Sequence, residues 1–247
     1  NEMGYAYTGS SAWALETALD KARTKQLLLA AKLPTARYQV LSTERDEVIV
    51  PFPAIVKPRS SDAGIGILTE RSVVENDEQL RKAVRTILYE MHEIPLVEEF
   101  LGGREFNVAF LGNFPRQILP LAEIDFSGIT DWRHKVVGFE AKWDKTSPYY
   151  HHTNAVCPAT VSLQLAHEIS RVAQAACEVL QCRDYGRVDM RLKRLNSEDV
   201  PYILEVNPNC GIAPDAGYPR QAYAAGYTYS EMLEQIAYLA AERLPNR

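Results

Sequence analysis

Two short runs near the C-terminal end carry the densest set of chemically capable side chains. Strand alternation over residues 186–193 puts Arg187, Asp189 and Arg191 on one face and Val188, Met190 and Leu192 on the other. Over residues 202–207 the same alternation groups Ile203, Glu205 and Asn207, with Leu204 and Val206 opposed. If the two strands pair, Asp189, Glu205 and Asn207 meet on one surface. Two carboxylates and an amide oxygen are a hard, all-oxygen donor set, suited to Mg²⁺ or Mn²⁺ held together with substrate phosphates. Arg187 would bring positive charge to the same place. A half-solvated sheet face with scattered charge has the same pattern. The Asn-Pro-Asn turn directly after the second run favours a site, because it puts the polar cluster at a sheet end.

Two further runs can engage phosphate or a nucleotide. Val56-Lys57-Pro58 precedes a loop of small residues through Ala63, Gly64 and Gly66. Such a loop lets backbone N–H groups approach phosphate oxygens, while a strand lysine supplies the countercharge. It is not a GxxxxGK[ST] phosphate loop. Alone it is also compatible with an ordinary turn. Residues 97–101, Val-Glu-Glu-Phe-Leu, then Gly102-Gly103-Arg104-Glu105, form an acidic strand end and a glycine break.

The elements that must position these residues follow from spacing. Apolar residues at intervals of three and four predict a helix over 11–33, stopped by Pro34. Short strands are expected at 38–41 and 54–57, and a helix capped by Asn76 or Asp77 with Leu80, Val84, Ile87 and Leu88 on its apolar face. Strands follow at 95–100, 105–111 and 116–126. Residues 127–159 show no period, which marks a functional loop or short elements that spacing does not reveal. A helix is predicted over 161–180, then the two strands above, a loop over 208–219 and a terminal helix capped near Ser230. Helices interspersed with adjacent, antiparallel-looking strands make the fold class α+β.

Composition narrows the function classes. At 247 residues the chain suits one or two domains. Lys plus Arg is 27 against 32 Asp plus Glu, a net charge of −5. That balance argues against nucleic-acid partners and against a polybasic membrane anchor. No apolar run is long enough to span a bilayer. Four cysteines without a CxxC pair fit a reducing cytoplasm. The opening Asn1-Glu2-Met3 does not look like a natural start.

Taken in order, the motifs resemble the ATP-grasp superfamily and, within it, the D-alanine–D-alanine ligase-like branch. The residues that carry the resemblance are Asp20-Lys21 with Lys25, VKPRSSDAGIGI (56–67), VEEFLGGREFNVAFLG (97–112), FEAKW (139–143), YGRVDM (185–190) and ILEVNPN (203–209). The resemblance implies two α+β subdomains clasping ATP between antiparallel sheets. A connecting segment over 1–20 would lead into a small subdomain over 21–101 carrying the phosphate flap. A C-terminal subdomain over 102–247 would carry a lid at 127–159. Lys21 and Lys57 would hold nucleotide phosphates under a flap containing Ala63, Gly64 and Gly66. Glu98, Glu99, Phe100 and Leu101 match the adenine hinge, and Glu105 the ribose acid. Asp189, Glu205 and Asn207 match the ligands of two Mg²⁺ ions. Arg187 and Lys142 match the cations near the transferred phosphoryl group.

The implied activity is ADP-forming ligation of a small-molecule carboxylate to an amine through an acyl phosphate, on an amino acid or small peptide. The last loop departs from the family. Asn209, Gly211, Asp215 and Ala216 are the substrate candidates, and Ala216 stands where the D-alanine ligases place a serine for the second substrate's carboxylate. Trp143 likewise replaces a tyrosine. The resemblance therefore extends to the ATP half and not to D-alanine itself. It leaves two alternatives, a regulatory ATP-binding module with altered chemistry and an ATP-dependent small-molecule kinase. It also implies an N-terminal domain ahead of this chain, which would contribute part of the acceptor pocket, and the family's ligases are commonly homodimers. Elsewhere, His151-His152 could be metal ligands or plain lid residues, Cys177 suits a helix core, and Tyr149-Tyr150 suit lid packing or substrate contact. Cys210 lies in the substrate loop without a neighbouring base.

Overall fold

Asp20 divides the helical stretch expected over 11–33 into two helices, α1 (Ala12–Leu19) and α2 (Lys21–Ala30). Its backbone is extended and its carboxylate accepts the Arg23 N–H, so an aspartate cap ends one helix and starts the next. Lys32, at φ +59°, closes α2 before Pro34 is reached. The computed structural model describes residues 5–243, so the Asn1 start lies outside the described residues.

The smaller sheet has the order β1-β4-β2-β3, all antiparallel, from β1 (Tyr38–Val40), β2 (Ala54–Pro58), β3 (Val73–Val74) and β4 (Pro95–Glu99). β3 is two residues long, too short for any periodicity to announce. Helix α3 (Asp77–Arg85), capped by Asn76, lays Leu80 and Val84 on Leu41, Ala54, Val56 and Val97.

The larger sheet runs β10-β9-β5-β7-β8, from β5 (Glu105–Leu111), β7 (Ala122–Asp125), β8 (Asn154–Val156), β9 (Tyr185–Leu195) and β10 (Glu198–Asn207), with the short β6 (Gln117–Ile118) on β5. The single strand expected over 116–126 is thus two, interrupted around Pro120, which has no N–H for a ladder. Residues 127–159 contain a 3₁₀ turn (Trp132–His134), α4 (Phe139–Trp143) and α5 (Pro148–His151) before β8. Each is too short to be visible as a period.

β5 is buried along its whole length and shows what each face serves. Phe106, Val108 and Phe110 enter the core under α6 (Leu163–Val179), with Ile169, Val172 and Ala176. On the other face Ala109 and Leu111 lie under α7 (Gly217–Ala224) and α8 (Tyr229–Ala241), with Tyr218, Met232 and Ile236. Glu105 and Asn107 share that second face at the end the helices leave uncovered. α7 occupies the end of the stretch expected to be loop, and α8 starts at Thr228 rather than Ser230, through a reciprocal Thr228–Glu231 capping box.

One expectation for the central strands is overturned. Ile203 pairs with Met190 while Glu205 pairs with Asp189, leaving Leu204 as an extra residue in a β-bulge. The bulge breaks the alternation, so Ile203 joins the core with Val206 and does not share a face with Glu205 and Asn207. Among the described residues no helix is long and apolar enough to cross a membrane.

Candidate active site

β9 lies between β5 and β10, and register decides which side chains meet. Asp189 is opposite Asn107 on one side and Glu205 on the other, while Arg187 is opposite Asn207. Arg191 is opposite Glu105. The Arg187 guanidinium donates to both Asp189 oxygens, at 2.6 and 2.7 Å. Asn107 Nδ2 donates to Asp189 Oδ1 at 2.8 Å, and Asn207 Nδ2 to Asp189 Oδ2 at 3.1 Å and Glu205 Oε1 at 3.3 Å. Among the described residues, no donor bonds Glu205 Oε2 or Asn207 Oδ1.

The two carboxylates are driven apart in acidity. Burial pushes Asp189 up to about 6, against the pull of Arg187 and with a further push from Glu205. Burial would raise Glu205 too, but Lys142, Asp189, Lys21 and Lys57 together bring it down to about 2. Three lysines from three separate segments therefore act on one carboxylate.

Lys57 is held by a buried carboxylate. Glu98 is 1% exposed and pairs with Lys57 at 2.8 Å and Lys25 at 3.1 Å. Lys25 also donates to Thr35 Oγ1 at 2.8 Å. Burial works to raise Glu98, yet the two ammonium groups win and hold it below the usual carboxylate range. Lys21 donates to the Ser61 carbonyl, and burial and Lys57 lower its pKa. The Glu98 side chain thus pairs with Lys57 of β2 and Lys25 of α2. Along the expected hinge, Glu99 pairs with Lys193, Phe100 N donates to Pro53 O at 2.9 Å, and Leu101 O accepts from Arg191.

The small-residue loop and the irregular segment meet. Trp143 Nε1 donates to Ala63 O at 3.0 Å, and Phe139 N to Ile67 O at 2.9 Å. Glu140 Oε2 accepts from both Thr69 N and Thr69 Oγ1, at 3.1 and 3.0 Å. Gly64 has φ +77°, and a Cβ there would come within 3.2 Å of the Gly138 backbone and 3.5 Å of Lys142 Cδ. Gly66, at φ +78°, lies against Pro58, where a Cβ would be 2.4 Å from Cγ.

The substrate candidates divide. Asn209 Oδ1 accepts the Ser10 N–H at 2.8 Å, and Gly9 is packed so closely that a Cβ would lie 2.4 Å from that oxygen. Asn209 therefore anchors the segment before α1. Gly211 faces open space, with nothing within 4 Å of a Cβ. Ala216 is the N-cap of α7 with no side-chain cap, Asp215 before it is exposed, and the Gly217 Cβ position is 3.6 Å from Arg187 Nη1. Burial pushes the Cys210 thiol up to about 12, which keeps it protonated. Among the described residues no group of three or more His, Cys, Asp or Glu side chains could hold a metal, so the oxygen set above depends on its amide. The sequence gives no role to Asn107, Lys25, Glu140 or Arg191. Asn107 could have been found, since it lies two residues beyond Glu105 on the same strand face.

Comparison with known proteins fixes the family. The family model described as D-ala D-ala ligase C-terminus matches residues 27–238. The chain belongs to the D-alanine–D-alanine ligase family. It is 32% identical over 242 residues to the uncharacterized protein y4sG of Sinorhizobium fredii, covering 97% of this chain and 68% of that protein. It is 30% identical over 248 residues to the D-alanine–D-alanine ligase of Desulforudis audaxviator, covering 98% of this chain and 74% of that enzyme. A crystal structure of the D-alanine–D-alanine ligase from Bacillus anthracis complexed with ATP superposes with a TM-score of 0.75 at 21% identity, covering 98% of this chain and 72% of that one. The fold is that of an ATP-grasp protein. As a member of this family the protein is an ATP-dependent ATP-grasp ligase of the class that forms C–N bonds.

Proposed function

We propose that the protein uses ATP, with two Mg²⁺ ions or Mn²⁺, to activate the carboxylate of an amino acid or small peptide and join it to an amine. The observation that carries this reading is the strand face on which Asp189, Glu205 and Asn207 are hydrogen-bonded together beside the Arg187 guanidinium. A carboxylate is a poor electrophile. Its oxygen would attack the γ-phosphorus and break the bond to ADP. The amine would then attack the acyl carbon, inorganic phosphate would leave, and the amine would give up a proton. Negative charge crowds the γ-phosphoryl group through both steps, so preorganised cations aimed at it lower the barrier.

Each residue takes a role in that scheme. Lys21 and Lys57 bind the phosphates, and Lys142 closes over them as α4 docks on the loop at Ala63 and Gly64. Arg187 leaves Asp189 for the transferred phosphoryl group. Residues 98–101 bind adenine through backbone groups, and Glu105 binds the ribose. Asp189, Glu205 and Asn207 hold the metal ions, and the free Glu205 Oε2 and Asn207 Oδ1 fit that task. Bound there, the ions would neutralise triphosphate charge and polarise the phosphoryl oxygens. Docking of the lid excludes water, which protects the activated acyl group from hydrolysis. Gly211, Asp215 and Ala216 border the acceptor. Ala216 offers no hydroxyl to a substrate carboxylate, so D-alanine is not the proposed acceptor.

The test is an ADP-release screen of the protein with paired carboxylates and amines, read by mass spectrometry. A condensation product from one pair supports the proposal, and a stable phosphorylated product without condensation refutes it. The metal assignment has its own pH signature. Ligand carboxylates must be deprotonated, and Asp189 is raised to about 6. Mn²⁺ affinity measured by calorimetry should therefore begin to fall at a higher pH than an ordinary carboxylate ligand would give, and keep falling as the pH drops. Mn²⁺ affinity unchanged in Asp189→Asn would remove Asp189 from the ligand set.

A further inference from the structure

Arg191 is almost wholly buried, at 3% exposure, and the proposed ligase chemistry gives it no task. A buried guanidinium is costly unless every donor is matched. Here the acceptors lie 56 to 90 residues earlier in the chain, in two separate stretches. Nε donates to Glu105 Oε2 at 2.7 Å, Nη1 to Leu101 O at 2.7 Å, and Nη2 to the Lys135 carbonyl. The Phe100 and Phe126 rings lie 5.2 and 5.3 Å from the guanidinium carbon, where a cation and aromatic faces attract. One side chain thus ties together the end of the hinge, the first acid of β5 and the segment that leads into α4.

The effect on Glu105 is specific. Oε2 is held by Arg191, while no donor among the described residues bonds Oε1. Glu105 itself is buried, so it has little freedom to turn. The register places the Arg191–Glu105 rung two residues along β9 from Asp189, about 7 Å at ordinary strand rise. One strand face therefore carries an acceptor at one end and the phosphate and metal cluster at the other.

We propose that Arg191 is a positioning residue for the nucleoside half of the site, fixing Glu105 with one oxygen bonded and the other free to accept a ribose hydroxyl. This rests on the ATP reading above. Arg191 touches no nucleotide itself. It sets sugar discrimination through Glu105 and links that carboxylate to the lid through Lys135.

The test compares the affinities of ATP, 2′-deoxy-ATP, 3′-deoxy-ATP and tripolyphosphate by calorimetry with Mg²⁺, for wild type, Glu105→Gln and Arg191→Lys. Wild type should prefer ATP to one of the deoxy analogues by about ten- to hundredfold, the worth of a hydrogen bond to a charged group. Arg191→Lys keeps the charge but loses the three-way fork, and should bring that ratio close to one with tripolyphosphate affinity unchanged. Glu105→Gln should lower the ratio as well. If Arg191→Lys melts too early for binding to be read, Arg191→Gln measured at low temperature removes the fork, leaves Glu105 in place and gives the same readout. A ratio that survives Arg191→Lys while all affinities fall equally means a merely structural arginine and overturns the proposal. ATP binding by wild type without ribose discrimination also overturns it and leaves the ligase reading standing. No nucleotide binding by wild type defeats both.

Discussion

Glu98→Gln is expected to cost about 3–5 kcal/mol of folding stability, the usual penalty for stripping one partner from a buried ion cluster. Glu98 is the single anion between Lys25 and Lys57, and Lys25 is as buried as Glu98 itself. Glutamine keeps the shape and strips both ammonium groups of the carboxylate that pairs directly with them, leaving only the more distant Glu205. The melting temperature should fall by about 6–20 °C for a protein of this size. The loss should be smaller at pH 9 than at pH 6. Burial already lowers the Lys25 pKa, and without Glu98 that lysine sheds its proton more readily, which relieves the repulsion. A melting temperature unchanged within about 2 °C would show that Glu98 does not hold the lysines together. Lys25→Met should be milder, because Glu98 keeps Lys57.

Glu205→Gln has the opposite profile, a large effect on chemistry and a small one on folding. Asp189 retains Arg187 and Asn107 in that variant, so the strand face stays satisfied. What is lost is the carboxylate on which Lys21, Lys57 and Lys142 act, and one oxygen ligand of the proposed metal site. Mg²⁺-dependent ADP formation should drop about 10³-fold, in line with removing one preorganised group at a developing charge. The melting temperature should move by only a few degrees. Raising Mg²⁺ should recover part of the rate, since a weakened site fills at higher metal concentration. Activity within threefold of wild type would take Glu205 out of the site.

These two glutamates also mark what the sequence could and could not reveal. Glu205 was readable because β9 and β10 are long and alternate, so Asp189, Glu205 and Asn207 could be placed on one face without coordinates. Ile203 was misplaced because a bulge at Leu204 shifts the alternation by one residue, and no period shows a bulge. Glu98 was read as part of a hinge. That reading concerns its backbone, and says nothing of its side chain, which points at lysines 41 and 73 residues earlier, a relation set by packing of β2, β4 and α2. Arg191 was seen on the correct face, but its partner Glu105 lies 86 residues back in the chain. Asn209 looked like a substrate residue from its place in the loop, whereas it binds Ser10, 199 residues earlier. Long regular elements expose their chemistry through spacing. Contacts that close between distant segments do not.

The docking of α4 on the small-residue loop brings positive charge to the strand face. Trp143, Phe139 and Glu140 hold α4 on the small-residue loop, which keeps Lys142 close enough to Glu205 to lower its pKa. Arg187 is meanwhile neutralised by Asp189. A phosphate that drew Arg187 away would free the Asp189 oxygens for a metal ion. Nucleotide and metal binding should therefore reinforce one another.

The central claim is that ATP activates a carboxylate on this face, and oxygen tracing tests it most directly. The protein is incubated with ATP, Mg²⁺, an amine panel and carboxylic acids labelled with ¹⁸O, and the released inorganic phosphate is analysed by mass spectrometry. The account predicts one ¹⁸O atom transferred from the carboxylate into phosphate, dependent on Mg²⁺ and lost in Glu205→Gln. Unlabelled phosphate, a stable phosphorylated product, or ATP binding with no turnover across the panel would contradict it.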